Sequence, residues 1–95
     1  MKIHFDVEGG FAGLSKHLDT DLTHLPPKQR KAIRKLIGER TRYEKLPAFP
    51  QARDIRKYNV RIESENNLYS FSFNVLNLPE EFLEFIYYMK EHAEQ

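Results

Sequence analysis

The chain has 95 residues, 40% of them hydrophobic and 13% aromatic, which suits one folded domain around a single core and leaves no chain for a second. Fifteen Lys and Arg against fourteen Asp and Glu give a formal charge of +1, which argues against a nucleic-acid partner, and the lack of cysteine excludes disulfides, thiolate zinc sites and thiol catalysis. No apolar run approaches the roughly 18 to 20 residues that span a bilayer, and MKIHFDVEGG lacks the apolar core and cleavage site of a signal peptide, so a cytoplasmic protein with no membrane segment is expected.

From Lys2 to Val7 the chain alternates, with Ile3, Phe5 and Val7 on one face and Lys2, His4 and Asp6 on the other, as in a half-buried strand. EGGFAGL follows, from Glu8 to Leu14. Gly9, Gly10 and Gly13 reach backbone angles that a Cβ forbids and so allow a tight or irregular connection. Phe11, at its centre, either folds back onto the core or stands out as an anchor for a partner, and the residues alone favour neither. Leu14 to Thr20 forms a weaker strand with Leu14 and Leu18 inward, and the short connection suits an antiparallel hairpin. A polar link from Asp21 to Leu25 ends at Pro26 and Pro27, which are tolerated in a first helical turn. The helix then runs to about Arg40, with Ile33, Leu36 and Ile37 as its apolar stripe and Lys28, Arg30, Lys31, Arg34 and Lys35 on the opposite side.

From Thr41 through Asp54, TRYEKLPAFPQARD reads as a long irregular loop that Pro47 and Pro50 keep out of regular structure, with Tyr43, Leu46 and Phe49 as its apolar weight. Ile55 to Glu63 and Leu68 to Val75 alternate on either side of the SENN turn and form a second hairpin. Tyr69, Phe71, Phe73 and Val75 share one face of its second strand. Leu78, Pro79, Glu80 and Glu81 open a last helix, whose buried stripe is Phe82, Phe85, Ile86, Met89 and Ala93, broadened by Leu83 and Tyr87. The ββαββα order predicts an α+β single domain over residues 1–95, a four-stranded antiparallel sheet with two helices packed on one face. If each element reverses direction, the glycine-rich connection and the LPAFP loop lie at the same end of that sheet.

No constellation for catalysis stands out. His4, His17, His24 and His92 are scattered without ligand spacing, although sheet pairing could bring His4 and His17 together; neither a metal site nor a cofactor is expected. The glycine-rich connection lacks the GxxxxGKS or GxGxxG spacing of a phosphate loop and leads into a strand. Glu8 could act as a general base, but a solvated strand end explains it more simply. KQRKAIRK packs five cations into eight residues and is the alternative functional surface, a nucleic-acid or generic protein-interaction face on the helix from Pro26 to Arg40. Its simpler explanation is a solvated helix surface balanced by acids elsewhere, because no aromatic interleaves with these cations.

MKIHFDVEGGFAGL, the Leu25, Pro26, Pro27 helix start, the Leu46, Pro47, Ala48 loop, the strand at Tyr58 and LPEEF from Leu78 to Phe82 together resemble the emfourin (protealysin inhibitor) family. These are small bacterial proteins that inhibit thermolysin-like zinc metallopeptidases. The resemblance spans nearly the whole chain, and GGFAG, from Gly9 to Gly13, is its distinctive piece. The basic first helix departs from the more acidic one of the family. The resemblance implies a monomeric inhibitor without catalytic residues of its own, plugging the cleft of a thermolysin-like zinc metallopeptidase. Such enzymes favour a bulky apolar side chain just beyond the scissile bond. Phe11 or Leu14 is therefore the candidate to fill that pocket, with Glu8, Gly9, Gly10, Ala12 and Gly13 around it and Leu46, Pro47 and Phe49 widening the footprint. Direct ligation of the target's zinc by Glu8 ranks below simple occlusion.

Overall fold

The computed structural model describes residues 1–9, 15–44 and 56–94. Alternating side chains produce four antiparallel strands, β1 (Lys2–Glu8), β2 (Lys16–Asp21), β3 (Lys57–Glu63) and β4 (Leu68–Asn74), in the sheet order β2-β1-β3-β4. The order places β1 and β3, the two strands with the strictest alternation, at the centre. Phe5 lies opposite Val60 on β3 and Leu18 on β2, and Val60 opposite Phe71 on β4, so one row of apolar side chains crosses the sheet. The helices α1 (Pro27–Gly38), α2 (Arg40–Glu44) and α3 (Leu83–His92) close over that face through Ile33, Leu36, Tyr43, Phe85, Ile86 and Met89, all buried in one cluster. The opposite face is polar. This is the α+β architecture that the alternation predicts.

Local chemistry sets the boundaries. Asp21 ends β2 by accepting the Thr23 backbone N–H at 3.0 Å and the Thr23 hydroxyl at 2.9 Å, which starts a single 3-10 turn before the prolines. Those bonds hold the Asp21 carboxyl below its usual range. Pro27 occupies the first turn of α1, where its missing N–H costs nothing. The first helix does not continue to Arg40. It stops at Gly38, the Glu39 N–H bonds back to Lys35 O at 2.9 Å, and a separate short helix begins. The break corrects the long-loop expectation as well, since residues 41–44 are helical and Tyr43 is core; 45–55 lie outside the described residues.

Three further expectations change. The second strand runs from Lys16 to Asp21 rather than from Leu14, with Leu18 partly buried and Leu14 outside the described residues. Its outer edge is closed near the start by a reciprocal pair of 2.9 Å hydrogen bonds between the backbones of His17 and Glu94. β4 ends at Asn74, because a turn draws Val75 out of the sheet and into solvent. Leu83 and Tyr87 do not broaden the stripe of α3. Both are exposed, and the buried arc is Phe82, Phe85, Ile86 and Met89.

Candidate functional site

The strand register fixes where the two unusual connections begin and end. Glu8, the last residue of β1, lies opposite Lys57, the first of β3, and Lys57 lies opposite Asn74, the last of β4. Val7, one step earlier, faces Lys16 at the start of β2. Four strand termini therefore stand in a row at one end of the sheet. The chain leaves that row at Gly9 and returns to it at Ser15, and it comes back from the long connection at Arg56. α2 heads toward the same end. Arg40 at its start lies over the Tyr69 ring, 5.8 Å from the centroid, whereas Tyr43 near its finish packs edge-on against Phe82 at 4.8 Å, and Phe82 stands beside Phe73 at 6.1 Å. Both ends of residues 10–14 and of residues 45–55 are thus rooted at one end of the domain.

Core side chains hold these roots. Val7, Tyr58 and Phe73 are buried in one row across three strands, a step in from those termini, and the Tyr58 ring stacks with Phe5 at 6.4 Å and 10° between planes. Gly9 has φ of 79°, left-handed backbone that a Cβ would strain, so the turn out of β1 requires glycine there. Glu8 Oε1 lies 3.8 Å from Lys57 Nζ, and both side chains are about half exposed. On the helical side, the Tyr43 hydroxyl donates to Glu81 Oε1, and Lys35 Nζ lies 3.8 Å from the same oxygen. One carboxylate in the 3-10 turn just before α3 thereby ties α1 and α2 together. Burial first, and then this hydrogen bond, push the Tyr43 phenol up to about 12; the same bond holds Glu81 below the usual carboxylate range.

Of the residues that the sequence assigned to a binding surface, Glu8 and Gly9 stand at the root just described. Gly10, Phe11, Ala12, Gly13, Leu14, Leu46, Pro47 and Phe49 lie outside the described residues. His4 and His17 do not come together as a pair, because their strand partners are Asp19 and Asp6. The His4 Nδ1–H meets Asp19 Oδ1 at 2.7 Å, which lowers the Asp19 pKa, while Nε2 faces Glu63 Oε1 at 3.4 Å without hydrogen-bond geometry. Among the described residues, no three His, Asp or Glu side chains converge where a metal could sit. On the basic face of α1, Lys35 is tied to Glu81, whereas Lys28, Arg30, Lys31 and Arg34 have no ion pair among the described residues. Also among the described residues, no helix is long and apolar enough to cross a membrane.

Sequence reasoning missed one feature of this end, an exposed apolar group made by Val75, Leu76, Leu83 and Tyr87. A signal for it was present. At about 100° per residue, Leu83 and Tyr87 lie roughly 100° and 140° around the helix from Phe82, outside the arc that Phe85, Ile86 and Met89 share.

A small α+β domain that presents two connections side by side from one braced sheet end has the build of a binding module. The chain belongs to the emfourin family, whose family model matches residues 5–90. This is a family of proteinaceous inhibitors, and the kind of partner it implies is a metallopeptidase. Comparison with curated proteins and with solved structures gave no match.

Proposed function

We propose that this chain inhibits thermolysin-like zinc metallopeptidases by occlusion, entering the active-site cleft with the segment from Glu8 to Leu14 and widening the contact with the stretch from Thr41 to Asp54. The observation that carries the proposal is the shared root. Glu8 pairs with Lys57 in the sheet, so both connections open from one narrow end of a braced scaffold. A cleft could therefore receive both at once. Phe11 supplies the apolar group for the pocket beyond the scissile position, flanked by glycines that take little room, with Leu46, Pro47 and Phe49 beside it. The inhibitor acts as a monomer, and a scaffold ordered before binding loses little entropy on association.

The test titrates the purified chain into a thermolysin-like protease acting on a small peptide substrate and compares wild type with Phe11→Ala. Stoichiometric loss of activity is expected, with the inhibition constant of the variant raised by roughly tenfold or more, as for loss of an aromatic anchor. Inhibition indifferent to Phe11 would move the site to residues 46–49. No inhibition across several such proteases would refute the proposal. The α1 cations Lys28, Arg30, Lys31 and Arg34, which have no ion pair among the described residues, favour a second reading, a polyanion-binding face. It predicts binding that collapses between low and moderate salt and is lost on replacing Lys28 and Lys31, whereas apolar occlusion responds little to either change.

A further inference from the structure

Among the described residues, six large hydrophobic side chains are exposed, and their placement is uneven. Met1 and Leu68 sit at the end of the sheet remote from the loop roots, where Lys2, Glu63 and Leu68 line up in register. The other four gather at the root end: Val75 at 60% exposure, Leu76 at 55%, Leu83 at 36% and Tyr87 at 62%. Val75, Leu83 and Tyr87 line a groove of about 350 Å³ together with Tyr58, Leu78, Ile86 and one acidic residue, Glu80, and Leu76 lies next to Val75 outside that lining. Tyr58 follows Lys57, the partner of Glu8, so the groove adjoins the position where both connections are rooted.

These apolar groups are held in place. The Asn74 side chain accepts the backbone N–H of Leu76 at 2.8 Å and of Asn77 at 3.0 Å, and Asn77 Oδ1 accepts the Asn74 N–H at 2.7 Å. The turn therefore carries Val75 and Leu76 outward on a bonded frame. Lys90 Nζ stands 5.6 Å from the centre of the Tyr58 ring and 5.8 Å from that of Tyr87, which fixes Tyr87 beside the groove. Clustered apolar surface on an ordered frame has the character of an interaction site, whereas single exposed hydrophobics do not.

We infer that the Val75, Leu76, Leu83 and Tyr87 surface is a second contact for the target metallopeptidase, seating an apolar stretch of the protease surface beside its cleft. The inference rests on the proposed inhibition. A body that receives both connections must lie over the end from which they emerge, and this surface is continuous with that end. The occupant is thus the same protease and not a separate partner.

The test combines Val75→Ser with Tyr87→Ala and uses Leu68→Ser as an exposed apolar control at the remote end. Wild type, Phe11→Ala, the double variant and the control are titrated against the same thermolysin-like protease, with thermal melts and sedimentation velocity on each. The expected result is an inhibition constant raised about tenfold or more in the double variant, unchanged in Leu68→Ser, with a melting temperature within about 3 °C of wild type and a monomer throughout. An unchanged inhibition constant while Phe11→Ala still weakens inhibition would overturn this inference and leave the proposed function standing. A wild-type dimer that the double variant dissolves would assign the surface to a second copy of the chain. A melting temperature lowered by well over 3 °C would show that the chain's own residues cover it. Either result overturns the inference. Failure of wild type to inhibit at all would remove both together.

Discussion

Tyr43→Phe tests how the root end is braced. The substitution keeps the ring against Phe82 and deletes only the hydroxyl that donates to Glu81. A hydrogen bond to a charged group contributes roughly 1.5 to 3 kcal/mol. The Glu81 side chain, however, is 35% exposed and keeps Lys35 at 3.8 Å, so water replaces part of what is lost. A cost of about 1 kcal/mol follows, which lowers the melting temperature of a domain this size by about 4 to 8 °C. The gap should depend on pH with a definite sign. The folded phenol ionises near 12, above the usual tyrosine value, so its contribution is complete below about pH 10 and disappears as pH climbs from there through 12. Glu81 is shifted the other way, so its share is present above the usual carboxylate range and fades as pH falls through its lowered value. Melts followed by circular dichroism from pH 3 to 11 should therefore show a plateau near neutrality that narrows on both sides. Equal melting temperatures at pH 7, or a gap that does not narrow by pH 11, would refute the bracing argument.

Two glycine substitutions should move stability in opposite directions. Gly9→Ala, at a φ of 79°, should cost about 1 kcal/mol or more and raise the inhibition constant, whereas Gly38→Ala, with nothing within 4 Å of the added Cβ in a helical position, should stabilise by about 0.5 to 1 kcal/mol; paired melts decide both. His4→Ala should return the Asp19 carboxyl toward its usual pKa, because the 2.7 Å hydrogen bond is the largest cause of the depression; a carbon-detected NMR titration reads this directly, and an Asp19 that titrates as in wild type would show that the bond is not made in solution.

The sheet was legible because alternation is a local signal with a period of two. Ile3, Phe5, Val7 and Tyr58, Val60, Ile62 name their own face before any partner is known. The helical side was less so. Whether the helix stops at Gly38 or runs on to Arg40 depends on where Tyr43 can reach Glu81 and Phe82, 38 and 39 residues further along the chain, a separation no local window spans. Val75 misled for a similar reason. Its alternation with Phe73 continues the strand pattern, but the hydrogen bonds between Asn74 and Asn77 compete with the ladder and end it. At the candidate site, glycine marked the turn at Gly9 correctly, since only the left-handed backbone there demands it. The apolar surface beside it depends on how a turn and a helix face meet, which neither segment announces alone.

Glu8 separates the two jobs of the root. Its ion pair with Lys57 is long, at 3.8 Å, and half exposed on both sides, so it contributes between about 0 and 1 kcal/mol, and the register is held instead by Val7, Tyr58 and Phe73 beneath it. The carboxylate can therefore turn from Lys57 to a partner at little cost to the fold. Glu8→Gln keeps the size and removes the charge, and the melting temperature should stay within about 3 °C of wild type. If the segment from Glu8 to Leu14 enters the cleft, the same variant should raise the inhibition constant several-fold, with the effect shrinking as salt screens the charge. A drop in melting temperature without a change in inhibition would place Glu8 in the scaffold alone and shift the contact to the residues after it.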